Sequence, residues 1–316
     1  MSNTQPPMIE IVKAGPLSTV QDLGRTGLRD CGVSVGGALD TQALLLGNVL
    51  VGNPSGAAGL EITVCPASIR FLCDTVIAVT GTDSDASLDG EPLRPWWRWP
   101  VKAGQLLKFN PPQRAMRTYL AIAGGIDVAP MLGSRSTDLK AGFGGLEGRA
   151  LRDGDRLPLG EAAAGKVGTK GIFPPDWWPA VRVLPGPQYD DFTAEAQTAF
   201  WSAEWQLTPQ SNRMGYRLAG PVLAREQEGD LPSHGVVPGV IQVPPSGQPI
   251  VLMADAQTTG GYPKIGVVIQ ADLWKLAQLR LGGKLRFVVC DAAEAREALR
   301  SSWRYLEQVK RALDVY

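Results

Sequence analysis

Histidine and cysteine are scarce in this chain. Its 316 residues include one histidine, His234, and four cysteines, Cys31, Cys65, Cys73 and Cys290. A single imidazole excludes multi-histidine zinc sites and leaves a Ser-His-Asp triad only one arrangement. No pair of cysteines forms C-x-x-C, so reduced, buried thiols are expected, with no closed metal site. Excess charge is also missing: Lys+Arg and Asp+Glu are equal at 31 each. No overall field therefore draws the protein to nucleic acid or anionic lipid. No apolar run approaches a membrane span. The N-terminal MSNTQPPMIEIVKAG lacks the basic and apolar regions of a signal peptide, so a cytoplasmic location is expected.

What the chain does have is glycine, 37, and proline, 25, spread between short apolar runs. LEITV (60–64), SIRFL (68–72), VIAVTG (76–81), QLLKF (105–109), TYLAIAG (118–124), PIVLMAD (249–255) and KLRFVV (284–289) read as strands. Short strands separated by Gly/Pro turns predict a mainly β protein of barrels or sandwiches. Helical signals are fewer. DTQALLLGNVLVGNP has Asp40 as an N-cap and Gly52-Asn53-Pro54 as a stop. DDFTAEAQTAFWSAEW and ADLWKLAQLRLGG read as short helices. The C-terminal stretch from Asp291 opens with a capping box, Asp291 and Glu294. Its Leu299, Trp303, Leu306 and Leu313 fall on one face, which predicts a docked helix.

A faint duplication runs through the chain. AGPLSTVQD is echoed by LPGPQYDDF, AGQLLKF by GGKLRFV, and AVTGTDSD stands where LMADAQTT stands later. The order and spacing are similar, which predicts two related β domains, 8–175 and 180–316, the second carrying the C-terminal helix. The Pro-rich FPPDWWPA (173–180) suits a linker between them.

Several motif matches fail on context. GEAAAGKV (160–167) has Val167 where a phosphate-binding loop needs Ser or Thr, and no buried strand precedes it. GVSVG (32–36) lacks the strand and helix that a nucleophile elbow needs. Ser233-His234 reads as a solvated loop. RPWWRWP (94–100) interleaves Arg with Trp, but without net charge a packing surface or partner contact is the better reading.

Two constellations carry chemistry. In ADAQTTGGYPKIG (254–266) an apolar strand ends at Asp255, and Gln257, Thr258, Thr259, Tyr262 and Lys264 follow around Gly260-Gly261. A carboxylate, an amide, two hydroxyls and an ammonium then converge at one strand end. The short tether predicts that Lys264 and Asp255 share a cleft. The alternative is a polar hairpin tip with a solvated lysine. SNRMGYRL (211–218) places Arg213 in a Gly-flanked turn, suited to bidentate pairing with a carboxylate or phosphate. LGSRSTDLKAGFGG (132–145) offers Arg135, Ser136 and Thr137 in the same way. Near the N-terminus, Gln21, Asp22 and Arg25 sit between glycines in AGPLSTVQDLGRTG, which is either a packed turn or part of a site.

These stretches, with GNVLVGNP and IQVPPSGQPIVLMADAQTTGGYPKIGVVIQADLWKLAQLR, resemble the family of the C subunit of prokaryotic 5-oxoprolinase. That family is also called allophanate hydrolase subunit 2 or the biotin-dependent carboxyltransferase family. It includes the antagonist of the sporulation-kinase inhibitor and part of the carboxyltransferase region of urea carboxylase. The resemblance runs from about residue 8 to 290, and Asn212 stands where the family commonly has Asp. It implies two cyclophilin-like β-barrel domains and an enzyme completed by its partners, the B and A subunits. The activity it implies is ATP-dependent opening of 5-oxo-L-proline to L-glutamate. ATP, with Mg²⁺, is the expected cofactor of the assembly, and no covalently bound cofactor or metal site is expected in this chain.

Catalytic roles are expected for Asp255, Lys264, Arg213 and Asp40. Substrate contacts are expected from Asp22, Arg25, Asn48, Arg135, Ser136, Thr137, Gln257, Thr258, Thr259 and Tyr262. Arg25, Arg213 and Lys264 would stabilise negative charge, and Asp40 or Asp255 would orient a proton or Mg²⁺. Two other readings are open: a carboxyltransferase component acting on urea or another amide, and a non-catalytic regulator that binds a kinase inhibitor. The chain has no A-M-K-M stretch for biotin attachment, so in the first of these it would receive a biotin carrier from elsewhere.

Overall fold

Short alternating runs between turn residues do become strands. In the computed structural model, which describes residues 7–162, 168–227, 229 and 231–314, the protein is mainly β with four α-helices among those residues. It divides into two units: Met1–Arg25, Gly36–Pro175 and Leu306–Tyr316 in the first, Thr26–Val35 and Asp176–Tyr305 in the second. The division at Pro175–Asp176 falls inside the Pro-rich stretch. The segment Thr26–Val35 groups with the second unit, where the Arg29 guanidinium donates to the main-chain carbonyls of Val236 and Gln257. GEAAAGKV lies in part outside the described residues, at 163–167.

The first unit contains β1 (Met8–Lys13), β2 (Leu17–Gln21), α1 (Thr41–Leu50), β3 (Gly59–Thr63), β4 (Ala67–Phe71) and β5 (Thr75–Gly81). It continues with β6 (Ser87–Leu88), β7 (Glu91–Pro92), β8 (Trp97–Val101), β9 (Leu106–Phe109), β10 (Arg117–Ile122), β11 (Arg156–Pro158) and β12 (Lys170–Gly171). These form two six-stranded sheets, in the orders β11-β1-β4-β9-β6-β7 and β12-β8-β5-β10-β3-β2. Every pairing is antiparallel, so alternate residues face one core. Ile9, Ile69, Phe71, Leu107 and Phe109 from one sheet meet Leu60, Ile62, Ile77, Val79 and Leu120 from the other. The two sheets share one hydrophobic core. Asp40 caps α1 as expected, its Oδ1 accepting from Ala43 N at 2.9 Å.

The second unit contains β13 (Ala180–Pro185), α2 (Ala194–Ser202), β14 (Trp205–Leu207), β15 (Gly215–Ala219), β16 (His234–Gly235) and β17 (Val240–Gln242). After these come β18 (Ile250–Leu252), β19 (Thr259–Gly260), β20 (Lys264–Val268), α3 (Leu273–Gln278), β21 (Lys284–Val289) and α4 (Ala292–Asp314), whose residues from Leu306 group with the first unit. Here the ring closes, in the order β13-β20-β17-β18-β15-β14-β21, with β21 and β13 parallel. Phe200, Trp205 and Phe287 fill its core, with the Phe200 and Phe287 rings 4.9 Å apart. Closure leaves no barrel edge to protect and brings the ends of β17 and β20 side by side.

Two expectations need correction. Leu306 and Val309 of α4 are buried but Trp303 is 51 % exposed. The least exposed stripe therefore runs through Ala298, Ser302, Leu306 and Val309, one helical step away from Trp303. The expectation of buried thiols holds for Cys65 and Cys290, but Cys31 is exposed, in the Thr26–Val35 segment. Burial pushes the Cys65 thiol up to about 11, so it is a packing group and not a nucleophile.

Candidate functional site

In the first unit the N-terminal signature is a buried lock between two loops. Asp22 is 7 % exposed, and its Oδ1 accepts from Gly24 N at 2.8 Å, Ser134 Oγ at 2.6 Å and Ser136 Oγ at 2.5 Å. Its Oδ2 accepts from Arg135 N at 2.6 Å. A carboxylate holding this many donors spends its acceptor capacity on the fold. Arg25, 1 % exposed, donates to the main-chain oxygens of Met131 and Ser136 and lies 4.6 Å above the Phe143 ring. Thr137 closes the join, with its N and Oγ1 on Val20 O and its own carbonyl receiving Gln21 Nε2.

The other first-unit candidates have similar occupations. Arg135 donates to Val128 O and to Asp127, while 38 % of its side chain stays exposed, and it lines an open cavity of about 600 Å³. Asn48 is fully buried, donating to Ala57 O at 2.8 Å and accepting from Asn53 Nδ2 at 3.0 Å. Asp40 caps α1, and its N–H donates to Tyr119 Oη, which donates to Glu61 at 2.6 Å. Burial pushes the Tyr119 phenol well above its usual range, and the carboxylates of Glu61 and Asp40 push it further.

In the second unit Arg213 and Asp255 meet as a buried, bidentate pair, Nε to Oδ2 at 2.8 Å and Nη2 to Oδ1 at 3.0 Å. Asp255 N also donates to Arg213 O at 3.0 Å, so main chain and side chains hold the same two loops together. The fork predicted for Arg213 is real, and it is directed at Asp255. Lys264, by contrast, makes no ion pair with Asp255. It is 5 % exposed, and its Nζ is buried with no hydrogen-bond partner among the described residues. Burial alone pulls its pKa below the usual lysine range.

The main chain around Lys264 is pinned by the GPQ stretch of LPGPQYDDF. Lys264 N donates to Gln188 Oε1 at 3.1 Å and Gln188 N donates back to Lys264 O at 3.3 Å. A Cβ on Gly186 would sit 2.2 Å from Lys264 O, so only glycine permits this approach. Thr258 is half-buried, while Thr259 and Tyr262 are exposed; Thr259 and Gly260 pair with His234 and Gly235. Gln257 Nε2 donates to Gln242 Oε1 at 3.5 Å.

Two residues at this place give no signal in the sequence. Gln242, 2 % exposed, is the Cα partner of Lys264 across β17 and β20, and its Nε2 also lacks a partner among the described residues. Arg29 reaches Gln257 O through Nη2, and its buried Nη1 is unsatisfied. Neither carries a motif: Gln242 sits in an apolar strand, and Arg29 sits in a turn more than two hundred residues from its acceptors. Among the described residues no group of three His, Cys, Asp or Glu is placed to hold a metal ion. A cluster of cationic and amide donors left without acceptors among the described residues is suited to receiving a negatively charged or strongly polarised oxygen.

Known proteins share this sequence and this fold. A family model described as carboxyltransferase domain, subdomain A and B, matches residues 31–289. The chain is 51 % identical over 302 residues to the 5-oxoprolinase C subunit of Escherichia coli strain K12, covering 96 % of this chain and 97 % of that one. It is 42 % identical over 307 residues to the 5-oxoprolinase C subunit of Haemophilus influenzae, covering 97 % and 99 %. The crystal structure of the Kluyveromyces lactis urea amidolyase superposes with a TM-score of 0.89 at 30 % identity over 98 % of this chain, which spans only 20 % of that longer protein.

Proposed function

Because the chain belongs to the carboxyltransferase-domain family of subdomains A and B, we propose that it is the C subunit of an ATP-dependent 5-oxoprolinase, a hydrolase that opens 5-oxo-L-proline to L-glutamate. The observation that carries this is end-to-end similarity: 97 % of the Escherichia coli relative is covered, against a 20 % share of the urea amidolyase. The A and B subunits complete the enzyme, ATP with Mg²⁺ is used by the assembly, and the location is cytoplasmic. Among the described residues no helix is long and apolar enough to cross a membrane.

The substrate is a five-membered lactam with a carboxylate, and its opening is unfavourable without coupling. Transfer of the γ-phosphoryl of ATP to the amide oxygen releases ADP and makes the ring carbon electrophilic. Water then adds at that carbon and the ring C–N bond breaks as its nitrogen takes a proton, leaving γ-glutamyl phosphate, which a second water hydrolyses to the γ-carboxylate and phosphate. Each stage places negative charge on oxygen, which fixed cations stabilise. Lys264 is well suited to that role, because its ammonium is buried with no partner among the described residues. Arg213 and Asp255 support it by bracing the loop that leads to it, and Gln257, Thr258, Thr259 and Tyr262 border the same strand end. Asp22, Arg25, Asn48, Arg135, Ser136, Thr137 and Asp40 would act through the first unit's loops.

The match to the urea amidolyase favours a second reading, carboxyl transfer to an amide from a biotin carrier on another chain. Co-expression with the A and B subunits decides between them. The assembled complex is expected to release glutamate from 5-oxoproline only with ATP. Consumption of urea with carboxybiotin, and none of 5-oxoproline, would establish the second reading.

A further inference from the structure

We propose that Arg29, Gln242 and Lys264 form a preorganised receptor for a carboxylate. Three buried nitrogen donors in one part of the second unit, Arg29 Nη1, Gln242 Nε2 and Lys264 Nζ, have no hydrogen-bond partner among the described residues. Folded proteins satisfy nearly all such groups, so three orphans in one connected cluster point to a ligand and not to careless packing. The cluster is continuous. Gln242 and Lys264 are opposite residues of β17 and β20, so their side chains leave the barrel wall on the same face. Gln257 Nε2 donates to Gln242 Oε1, which turns the amide so that its N–H₂ is left over. The Gln257 carbonyl in turn receives Arg29.

The charge balance points the same way. Arg29 and Lys264 are both cationic, and each keeps a buried N–H donor without an acceptor among the described residues. Burial pulls the pKa of both cations down. Two cations and one amide N–H₂ match the acceptor sites of one carboxylate, which takes several charge-assisted hydrogen bonds on two oxygens. The assignment rests on the proposed function only in naming 5-oxoproline as the natural carboxylate. The receptor itself follows from the orphan donors.

The test uses the full-length chain and acetate as probe, with chloride at matched ionic strength as control. Acetate is expected to raise the melting temperature of the wild type above its value in chloride. Lys264→Met and Gln242→Leu should lose that rise, while Lys264→Met melts higher than wild type in chloride, because it removes an unpaired buried charge. A Cβ on Gly260 would stand 2.6 Å from Gln242 Nε2, so Gly260→Ala should push the amide aside and weaken the acetate response without unfolding the barrel. In the assembled complex, each single loss should weaken 5-oxoproline binding about tenfold or more, the usual worth of one charge-assisted hydrogen bond. It should leave the neutral lactam 2-pyrrolidinone unaffected.

An acetate response unchanged in all three variants, or absent from the wild type, would overturn the receptor. So would inorganic phosphate displacing acetate in preference. If acetate binds as described and the complex still releases no glutamate, the receptor stands and the oxoprolinase reading fails. Turnover of 5-oxoproline with a wild-type KM in Lys264→Met and Gln242→Leu complexes would remove the receptor and keep the reading.

Discussion

Arg213 and Lys264, both buried cations of the second unit, differ in one respect that governs their behaviour. Arg213 is matched by Asp255 in a bidentate pair, whereas Lys264 Nζ has no partner among the described residues. Removing half of the matched pair strands a buried charge, so Arg213→Ala should lower unfolding free energy by about 3–5 kcal/mol in urea titrations. A loss below about 1 kcal/mol, typical of a surface pair, would contradict the role given to burial. A second residue sets an acid limit. Asp272 is 1 % exposed; burial alone would raise its pKa, but hydrogen bonds from the Arg182 side chain and main chain and the nearby Lys275 outweigh this and lower it. A carboxyl whose folded pKa is depressed stabilises the fold above its unfolded pKa. That contribution disappears as pH falls through the folded value. The wild type should therefore lose stability below the ordinary carboxylate range, and Asp272→Asn should show a smaller loss on the same acid titration.

Elements link these residues to the site. Alternation makes β3, β4, β5, β9, β10, β18 and β21 legible, though not β1, β2, β8, β13, β15 and β20, and α1 and α4 are legible through their caps, Asp40 and the Asp291–Glu294 box. Two-residue strands such as β16 and β19 are not, since two residues cannot display a period. The same limit explains the partial view of the site. Lys264 and Gln257 belong to one quotable stretch, but Gln242 is an ordinary amide inside an apolar strand. Arg29 is placed by main-chain carbonyls, which leave no trace in sequence. Asp22 and Arg25 are recognisable as a signature, while the serines and carbonyls that engage them come from a loop more than one hundred residues away. At this scale Gly186 is an exacting position. A side chain there must push its loop away from Lys264, the first residue of β20. A complex carrying Gly186→Ala should keep its far-UV spectrum and lose about tenfold or more in kcat, as expected when a catalytic group moves by roughly an ångström. Wild-type kcat would show that Lys264 needs no such support.

For the whole molecule, the claim is that this chain is one part of an enzyme. Its 51 % identity to the Escherichia coli relative extends over nearly the full length of both, and that relative is itself named a subunit. The purified chain is accordingly expected to show no 5-oxoproline hydrolysis alone, and to gain it on mixing with the A and B subunits. Turnover by the isolated chain would contradict the division of labour. The most direct measurement is steady-state glutamate release by complexes carrying wild-type chain or Lys264→Ala, at saturating ATP and 5-oxoproline. Loss of one preorganised cationic contact costs about 3 kcal/mol of transition-state stabilisation, so kcat should fall roughly a hundredfold or more with assembly intact. Near-normal kcat and KM in an assembled Lys264→Ala complex would contradict the claim that this chain supplies a charge-stabilising lysine to the reaction.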